Sequence, residues 1–461
     1  MGLGKVKKDM AMLFLARCLD RFTIDNGNLA FLIPFTAYKT QAGAGFRDFL
    51  IRGLWKEEGN KCHCKVTKIH DLVTLYPFER ATNRTSLIVI KKKSETKIPI
   101  PCIVWSNPVS VGIEQEDDLQ DVIKKTKQFN LFFIPIKRHK PESSWMELSK
   151  KAYNGLRSAL GETPYYKAHA GVYTGLNQAY WITALSETQG QLLITNPVIT
   201  GQKKFVKQIQ QHIEKDLIYP MIRGRDLKKW YVPTAERKII IPHNPRTGNA
   251  FSESTLKVKY PKSYEYFNNF KDDLENRAIH KLWGKRSPFY SVYDISNYTF
   301  SPFKIAWKYI SGKISGKGQL YVAVMEPHDS GMLGEKVCIP DHRLMIIPIK
   351  KREEAHYIAA ILNSSVIRLI VMSYTIETAI SAHVMENIYV PRFLSKNPLH
   401  KKISELSKKA HNVKREIIEQ KIHEKELLTI SRDIDKNVAE LYEISESEMD
   451  EIRKILKILS K

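Results

Sequence analysis

Apolar positions in the first hundred residues follow helical spacing in some stretches and strand spacing in others. Between residues 5 and 22 they recur three and four positions apart, which predicts an amphipathic helix. Residues 29–33 form a run that is apolar on both faces and ends at Pro34, a pattern typical of a strand buried in a parallel sheet. A second helix and two further strands are predicted over residues 43–50, 66–73 and 86–90. We therefore expect an α/β fold whose first domain, residues 1–105, is the closing half of a doubly wound sheet.

Three further regions are predicted beyond this domain. Residues 106–165 are mixed in pattern and predict a connection. Residues 166–395, the middle region, carry short apolar runs, aromatics and turn signals, which is typical of a mixed α+β domain. In residues 396–461 the apolar spacing alternates between four and three, with an interruption at Gln420 and Glu424. This tail predicts a long helix, which either packs along a partner helix or lies solvated against its own domain.

Basic residues outnumber acidic ones: 73 lysines and arginines stand against 49 aspartates and glutamates, a net charge of +24. The usual partner of such an excess is a polyanion, and DNA or RNA is the commonest. A membrane surface is the competing partner, but the sequence has neither an apolar run of about 18 residues nor a signal peptide. We therefore expect a nucleic acid partner, no membrane partner and a cytoplasmic location. A basic protein without any polyanionic partner stays open.

Two patterns that could bind metal are weaker than they first look. Five scattered cysteines fit a reducing compartment rather than a disulfide framework. Cys62-His63-Cys64 is too closely spaced for the usual zinc pattern and has no second pair. Asp226 followed by Glu236 and Lys238 has the residue order of a magnesium-dependent nuclease, but such spacing is common in a lysine-rich chain. We expect no metal site.

Three stretches near the start of the chain carry a resemblance to a known family. They are Asp9-Met-Ala-Met-Leu-Phe14, Gly27-Asn-Leu-Ala-Phe-Leu-Ile-Pro34 and Gly43-Ala-Gly-Phe-Arg47. Together they resemble the part that follows the catalytic Asn-Pro-Pro-Tyr motif in amino-methyltransferases of type II and type IIG restriction–modification systems. The resemblance implies a methyltransferase-type sheet, methylation of adenine N6 in DNA and S-adenosylmethionine as the methyl donor. It assigns Phe14 to the donor side of the site.

The next matching stretch, residues 75–90, contains the aromatic residues Tyr76 and Phe78. In the family this stretch supplies an aromatic ring that stacks on the flipped-out adenine, which has lost its neighbours in the duplex. Phe78 is the first choice for this role and Tyr76 the second. Two ordinary core aromatics at a strand edge would fit the pattern equally well.

Five pieces of the middle region resemble, in the right order, the TaqI-like specificity domain (the target recognition domain) of these enzymes. They are residues 169–181, 217–230, 303–308, 361–365 and 388–391. The resemblance implies binding to double-stranded DNA, and the expected contacts are Thr174, Asn177, Arg223, Arg225, Lys228, Trp230, Lys304 and Lys308. The residues themselves agree, because arginines beside Trp230 suit phosphates and base edges. The alternative is an internal ion pair between Arg225 and Asp226 that shapes a loop.

The last matching piece, residues 434–448, resembles the close of such specificity proteins, but Glu443 replaces the family's glycine. The larger departure is that neither Asn-Pro-Pro-Tyr nor the glycine-rich donor motif occurs in the sequence. We therefore expect no methyl transfer by this chain alone. Either a companion methyltransferase chain supplies the donor site, or the gene is truncated or decayed. The rival hypothesis is a non-catalytic DNA-binding specificity subunit; an RNA-modifying enzyme would leave the specificity-domain pieces unexplained.

Overall fold

A computed structural model gives the fold of most of the chain. The residues it describes are 10–55, 61–73, 75, 84–107, 112–114, 116–197, 206–283, 287–310, 320–375, 379–419 and 424–460. Tyr76 and Phe78, the expected adenine-stacking residues, lie outside these ranges, as does the start of the first predicted helix.

The first part of the chain forms a six-stranded sheet and a short two-stranded pair. The strands are β1 (Asn28–Pro34), β2 (Leu54–Trp55), β3 (Lys61–Cys62), β4 (Cys64–Asp71), β5 (Thr85–Lys92), β6 (Ile100–Ser106), β7 (Lys127–Pro135) and β8 (Trp145–Leu148). The large sheet has the order β1-β5-β4-β6-β7-β8, and β2 pairs with β3. Only β4 and β6 pair in parallel; the other neighbours in the large sheet are antiparallel.

Five helices accompany this sheet in the described residues. They are α1 (Met10–Arg17), α2 (Thr36–Lys39), α3 (Ala44–Arg52), α4 (Leu119–Lys125) and α5 (Lys150–Leu156). A π-helical turn, Cys18–Phe22, extends α1. The first predicted helix is therefore present over its described part.

Strand β1 corrects one expectation about the sheet. It is a strand, as predicted, but it lies at the sheet edge and pairs antiparallel with β5 instead of lying between parallel neighbours. Its burial alternates, and Leu32 is 39% exposed. An uninterrupted apolar run does not distinguish a strand covered on both faces from one whose second face is left open.

The region 106–165, predicted as a connection, belongs to the first sheet. It contributes β7 and β8, which extend the sheet by antiparallel pairing from β6. Every residue of β8 is buried. The charged stretch before α4 conceals this in the sequence, because it separates the two added strands from the earlier ones.

The middle region builds two further sheets. Its strands are β9 (His169–Ala170), β10 (Trp181–Thr188), β11 (Gln191–Thr195), β12 (Gln210–Glu214), β13 (Ile218–Ile222), β14 (Lys238–Ile240), β15 (Phe303–Lys308), β16 (Val322–Met325), β17 (His328–Asp329), β18 (Glu335–Lys336), β19 (Ile339–Pro340) and β20 (Leu344–Ile349). One sheet has the order β12-β11-β10-β14-β13-β19, another the order β16-β15-β20-β9, and β17 pairs with β18. The mixed α+β pattern predicted here is present.

Helices α6 (Asn177–Tyr180), α7 (Glu253–Lys259), α8 (Pro261–Asn268), α9 (Lys271–Glu275), α10 (Ala278–Trp283), α11 (Arg352–Asn363) and α12 (Ser365–Tyr374) complete the middle region. In the described part of the chain, no single helix is long and apolar enough to cross a membrane. Helices α11 and α12 reach that length and composition only as a pair bent by 56°.

The tail is not one long helix, so that prediction is wrong. It forms α13 (Pro398–Ile418), α14 (Lys425–Leu441) and α15 (Glu446–Leu459). The break between α13 and α14 falls where Gln420 and Glu424 interrupt the apolar spacing, and the two helices pack on each other. Helix α13 also packs on α11, and α15 packs on α12 and α5. The heptad seam is therefore satisfied inside the chain's own core.

One apolar core joins the first sheet to the tail. It includes Leu15 of α1, Trp145 of β8, Ile358 of α11 and Ile455 of α15. A second core, centred on Tyr180 and its neighbours, fills the space beneath the sheet that contains β10 to β14. The middle region is thus held on the first sheet by shared core residues, while its far end has a core of its own.

Candidate DNA interface

The arginines predicted to bind DNA lie where two parallel strands end. Arg223 follows β13 and Asp341 follows β19, and these strands pair in parallel through Met221–Ile339 and Ile222–Pro340. Strand β14 brings Arg237 to the same end, because the Met221 N–H donates to the Arg237 carbonyl at 3.0 Å. A cleft of about 230 Å³ results, the arginine cleft, lined by Asn177, Trp181, Arg223, Arg225, Arg237, Asp341, His342 and Arg343.

The Arg223 side chain contacts the turn in which it lies and is little exposed to solvent. Its guanidinium donates to both carboxylate oxygens of Asp226, at 2.7 and 2.9 Å, and its backbone N–H donates to the same group at 3.2 Å. Although burial alone would raise the pKa of Asp226, these contacts keep it below its usual value. The internal ion pair anticipated between Arg225 and Asp226 is therefore present at 3.9 Å, and Arg223 makes a second and much shorter ion pair with the same carboxylate, at 2.7 Å.

Arg225 is the open cation of this turn. Its side chain is 71% exposed, and its Nε lies 3.9 Å from an Asp226 oxygen that Arg223 already occupies. Arg343 is also exposed, and it makes no ion pair within the described residues. Two exposed guanidinium groups at one rim can reach phosphates or base edges at little desolvation cost.

Positive charge is concentrated enough in the cleft that its arginines affect one another's pKa. Burial, and then the nearby cations Arg223 and Arg225, lower the pKa of Arg237. Asp341 is the acidic lining residue, and burial raises the pKa of its carboxyl group. An anion entering the cleft would therefore relieve repulsion between the arginines.

The cleft depends on close backbone approach. The Asp341 carboxylate accepts hydrogen bonds from the backbone N–H groups of Gly224 and Arg343, both at 3.0 Å. A side chain at Gly224 would place its Cβ 2.8 Å from the Cβ of Arg343. Glycine is needed there because two turns meet, and the contact fixes Arg225 and Arg343 relative to each other.

The other expected DNA contacts divide into open and buried residues. Lys228 is exposed and Lys308 is partly exposed, whereas Asn177 lines the cleft and accepts a hydrogen bond from the buried Thr174 at 2.6 Å. Lys304 is 1% exposed and donates to the Ser301 carbonyl at 2.6 Å. Burial lowers the pKa of Lys304 to about 8. Thr174 and Lys304 are therefore buried within the region, and Trp230 is 1% exposed.

Several motif residues that carry the resemblance hold the fold together. The Asn363 side-chain amide pairs with the backbone of Val322, donating at 2.8 Å and accepting at 3.0 Å. Asp435 accepts from the backbone and hydroxyl of Ser365 at the start of α12. Tyr442 donates to the Tyr389 carbonyl at 2.6 Å. Asp435 and Tyr442 therefore join the tail to the middle region, and Asn363 holds α11 on β16 within the middle region.

In the first sheet, Phe14 is on the outer side of α1 and is 57% exposed. The segment expected to contact adenine begins and ends beside a buried ion cluster. Arg84 forms an ion pair with Asp71 and lies 3.2 Å from Glu147, and its guanidinium stacks on the Phe35 ring at 3.8 Å. Asp71 ends β4 and Arg84 precedes β5, so both ends of the intervening segment are anchored.

The two weak metal patterns have structural explanations. Cys62 and Cys64 are buried, and burial raises the pKa of Cys64 to about 12. Asp226 is occupied by Arg223. In the ranges that the structure describes, no three His, Cys, Asp or Glu side chains are grouped as metal ligands.

Sequence reasoning missed five residues of the cleft: Trp181, Arg237, Asp341, His342 and Arg343. Arg237 stood inside the Glu-Arg-Lys triplet that was considered only for its acid and lysine. A usable signal was that Asp341-His342-Arg343 follows a short apolar strand, as Arg223 does. The pairing of those two strands is a long-range contact that the spacing does not reveal.

Known proteins similar to this chain were found by sequence and by structure. No family model matches the sequence. The type II methyltransferase M.MjaIV of Methanocaldococcus jannaschii is 23% identical over 232 residues, which cover 48% of this chain and 67% of that protein. The type II methyltransferase M.NspV of Nostoc sp. is 23% identical over 207 residues, covering 43% of this chain and 38% of that protein.

Among solved structures, the type IIL restriction–modification enzyme MmeI, determined in complex with DNA, superposes with a TM-score of 0.53 at 9% identity. The match covers 96% of this chain and 51% of the MmeI chain, so the likeness in fold extends through the whole described architecture, while this chain spans about half of MmeI's length. In sequence the chain is therefore similar to type II methyltransferases, and in fold it is similar to a restriction–modification enzyme.

Proposed function

We propose that this chain is the DNA-reading component of a site-specific, adenine-N6 DNA methyltransferase that uses S-adenosylmethionine. The arginine cleft carries the proposal, because it presents Arg225 and Arg343 to solvent beside the half-buried Arg237. Arginine is the side chain best suited to bidentate contacts with phosphate and guanine. A net charge of +24 supplies the sequence-independent part of the affinity for double-stranded DNA.

The donor site, in this proposal, belongs to a companion methyltransferase chain. The sequence contains no Asn-Pro-Pro-Tyr motif to hold the target amino group. Phe14 would lie beside the bound donor, and Phe78, or Tyr76 in its place, would stack on the extruded adenine. The cluster of Arg84, Asp71 and Glu147 would keep the adenine-contacting segment anchored at both ends.

The free edge of β1 is the place we propose for the companion chain. Within the described residues β1 pairs only with β5, and its seven residues include no charged side chain that would discourage further pairing. Met10, Phe14, Phe22 and Ile24 of the adjoining segment are 63%, 57%, 80% and 79% exposed. A strand added at β1 would complete the sheet, and apolar residues beside that strand would cover these side chains.

Methyl transfer is the direct test of this function. The purified chain is expected to bind duplex DNA but to transfer no labelled methyl group from S-adenosylmethionine. Adding the product of a neighbouring gene that contains Asn-Pro-Pro-Tyr is expected to restore transfer, and Leu32→Lys at the free edge to abolish that restoration without changing DNA affinity. Transfer by the homogeneous chain alone would refute the division of labour proposed here.

In the reconstituted enzyme, Phe78→Ala is expected to slow methylation about ten- to a hundredfold, since a stacked base gains about 1–3 kcal/mol from an aromatic face. Phe78→Trp keeps the aromatic face and is the milder control. DNA affinity should stay nearly unchanged in both variants, because the arginine cleft is intact. An unchanged methylation rate in Phe78→Ala would transfer the role to Tyr76.

The second candidate function is a non-catalytic DNA-binding specificity subunit. The hydrogen bonds that join the middle region to the tail, between Ser365 and Asp435 and between Tyr442 and Tyr389, favour a rigid reading module, which such a subunit also needs. The two functions differ in one measurement: a specificity subunit would support DNA binding by its partner but would tolerate Phe78→Ala and Tyr76→Ala together without any loss of methylation.

A further inference from the structure

A second cationic cavity lies away from the arginine cleft, at the seam between the middle region and the tail. Its volume is about 280 Å³, and we call it the seam cavity. The loop around Trp230 and Thr234 forms one wall, the end of β16 a second, and the first turn of α11 together with α13 the remainder. It is therefore enclosed by elements that are far apart in sequence.

The carboxylate of the seam cavity and its buried histidine His411 are already engaged. Glu326 is the one carboxylate among the lining residues, and its Oε1 accepts from Arg352 Nε and binds His356 Nε2, both at 2.9 Å. Although burial alone would raise it, these contacts lower the pKa of Glu326 to about 2. His411 accepts from the Val324 N–H at 3.0 Å through Nε2 and donates to the Ser407 carbonyl at 2.8 Å through Nδ1.

Donor groups, by contrast, are left over. Arg415 lines the cavity from the exposed side of α13 and makes no ion pair within the described residues. Lys408 and Arg352 also line the walls, but Lys408 is paired with Glu405 at 2.7 Å and Arg352 with Glu326, so Arg415 is the cation of the lining that has no ion pair in the described residues. The buried indole Nε1 of Trp230, a lining residue that is 1% exposed, has no hydrogen-bond acceptor in the described structure. A buried donor without an acceptor is unfavourable unless a ligand or water completes it.

The backbone at Trp230 adds an independent observation. Trp230 has φ of +62°, in the left-handed region that bulky side chains rarely occupy. Its N–H donates to the Val322 carbonyl at 3.1 Å, and its ring meets the edge of His411 at 5.3 Å between centroids. Such strain persists where surrounding contacts over-determine a position, and it concentrates at ligand sites.

We infer that the seam cavity binds a phosphate group through the Arg415 guanidinium and the Trp230 indole N–H. A tetrahedral oxyanion accepts several hydrogen bonds at once and pairs well with a planar guanidinium. Three cationic side chains stand against one carboxylate among the lining residues, which favours an anion over a cation or a neutral apolar ligand. The group is either free phosphate or a phosphodiester of bound DNA. Both would present phosphate oxygens to the same donors of the cavity.

Inorganic phosphate is the first probe, titrated into the full chain at constant ionic strength and followed by calorimetry, with chloride as the background anion. Arg415→Gln is expected to weaken phosphate binding about tenfold, since a charge-assisted bidentate contact is lost. Arg432→Gln removes the same charge from an exposed site on α14 outside the cavity and should leave binding within about twofold. Trp230→Phe keeps the ring but removes the N–H and should also weaken binding.

Duplex DNA is the second probe and separates the two sources. If a phosphodiester is the ligand, Arg415→Gln weakens DNA binding more than Arg432→Gln does, and free phosphate competes for the difference. If free phosphate is the ligand, only the phosphate titration changes. The inference is overturned if phosphate does not bind and the two variants reduce DNA affinity equally. Because Arg225 and Arg343 are intact in every variant, this failure would leave the proposed DNA-reading function untouched.

Discussion

The cations of the arginine cleft and those of the C-terminal helices have different neighbours. In the cleft, Arg225 is 71% exposed, and its nearest carboxylate is already taken by Arg223. In the tail, Lys409 lies 3.1 Å from Glu426, and Lys454 lies 3.5 Å from Glu451. Net charge alone therefore does not locate a DNA-binding surface; a cation such as Arg225, whose only nearby carboxylate in the described residues is already bound more closely by another arginine, remains available to phosphate.

Removing two positive charges from the arginine cleft, or two from the C-terminal helices, is the strongest test of this difference. Arg225→Ala with Arg343→Ala is expected to lower duplex affinity about a hundredfold, or about 2.7 kcal/mol, if each arginine makes one good contact. The matched control, Lys409→Ala with Lys454→Ala, removes the same net charge and should change affinity by less than about twofold. Fluorescence anisotropy at several salt concentrations measures both. Equal losses would mean that binding is diffuse electrostatics.

The tail and the middle region each contain a buried histidine with the same kind of hydrogen bonds. The pH dependence of unfolding tests whether the two histidines contribute equally to stability. His411 at the seam and His243 in the middle region each accept a backbone N–H and bind a backbone carbonyl. Burial lowers the pKa of His411 to about 3 and that of His243 to about 4. Both side chains are therefore neutral in the folded protein at pH 5, while the unfolded chain binds protons below pH about 6.5.

Because both folded-state pKa values are depressed, the stabilisation is complete above pH about 6.5 and is lost as the pH falls towards them. Relative to the wild type, His411→Gln is expected to lose less stability on acidification, by about 2 kcal/mol between pH 6.5 and 5. Denaturant unfolding at a series of pH values measures this, with His243→Gln as the parallel variant. Identical pH slopes for wild type and His411→Gln would contradict the burial of a neutral imidazole.

Geometry, as distinct from charge, is tested at Gly224. In Gly224→Ala the new Cβ would lie 2.8 Å from the Cβ of Arg343, so one of the two turns must move. We expect about tenfold weaker DNA binding, or about 1.4 kcal/mol, with all the cleft's arginines still present. Near-wild-type affinity would show that the arginines act independently of their spacing.

The smallest expected effect lies in the tail, at the position where the family resemblance departs. Glu443 has φ of +55° and follows the end of α14, where Ile444 donates to the Ala439 carbonyl at 2.9 Å and Glu443 to that of Glu440 at 3.2 Å. This is a glycine-type helix end built with glutamate. Glu443→Gly should stabilise the protein by about 1 kcal/mol without altering DNA affinity. Glu440→Gly, inside the helix, should destabilise it by a similar amount.

Local patterns predicted local structure well in this chain. The strand at residues 29–33 and the basic turn at Arg223 to Trp230 are both present, because alternation, turn residues and charge act over a few positions. Their surroundings were not predictable from the same patterns. The side of β1 left open, the joining of β13 to β19, and the burial of Lys304 all depend on contacts between residues far apart in the chain.

In the tail, too, local structure was predictable and long-range packing was not. Its heptad spacing indicated an apolar helical face but not the helix that packs on it. Helices α11 and α14 of the same chain cover this face of α13, as a helix of another chain could also have done. The interruption at Gln420 and Glu424 was visible in the sequence. Its consequence, the packing of α14 back on α13, could not be predicted, because it depends on the contact between α13 and α11, which is distant in sequence.

The core that joins α1 to α15 has a consequence during synthesis. Leu15 and Ile455 belong to one apolar cluster, and β8 is covered by α12 while α5 is covered by α15. At roughly 5–20 residues per second, a ribosome needs roughly 20–90 s to pass from the first of these residues to the last. During that interval the first sheet exists without its cover, and its apolar surface is available to chaperones or to other nascent chains. Folding of the first sheet is thereby coupled to completion of the polypeptide, so that early termination would leave an aggregation-prone product and not a smaller working domain.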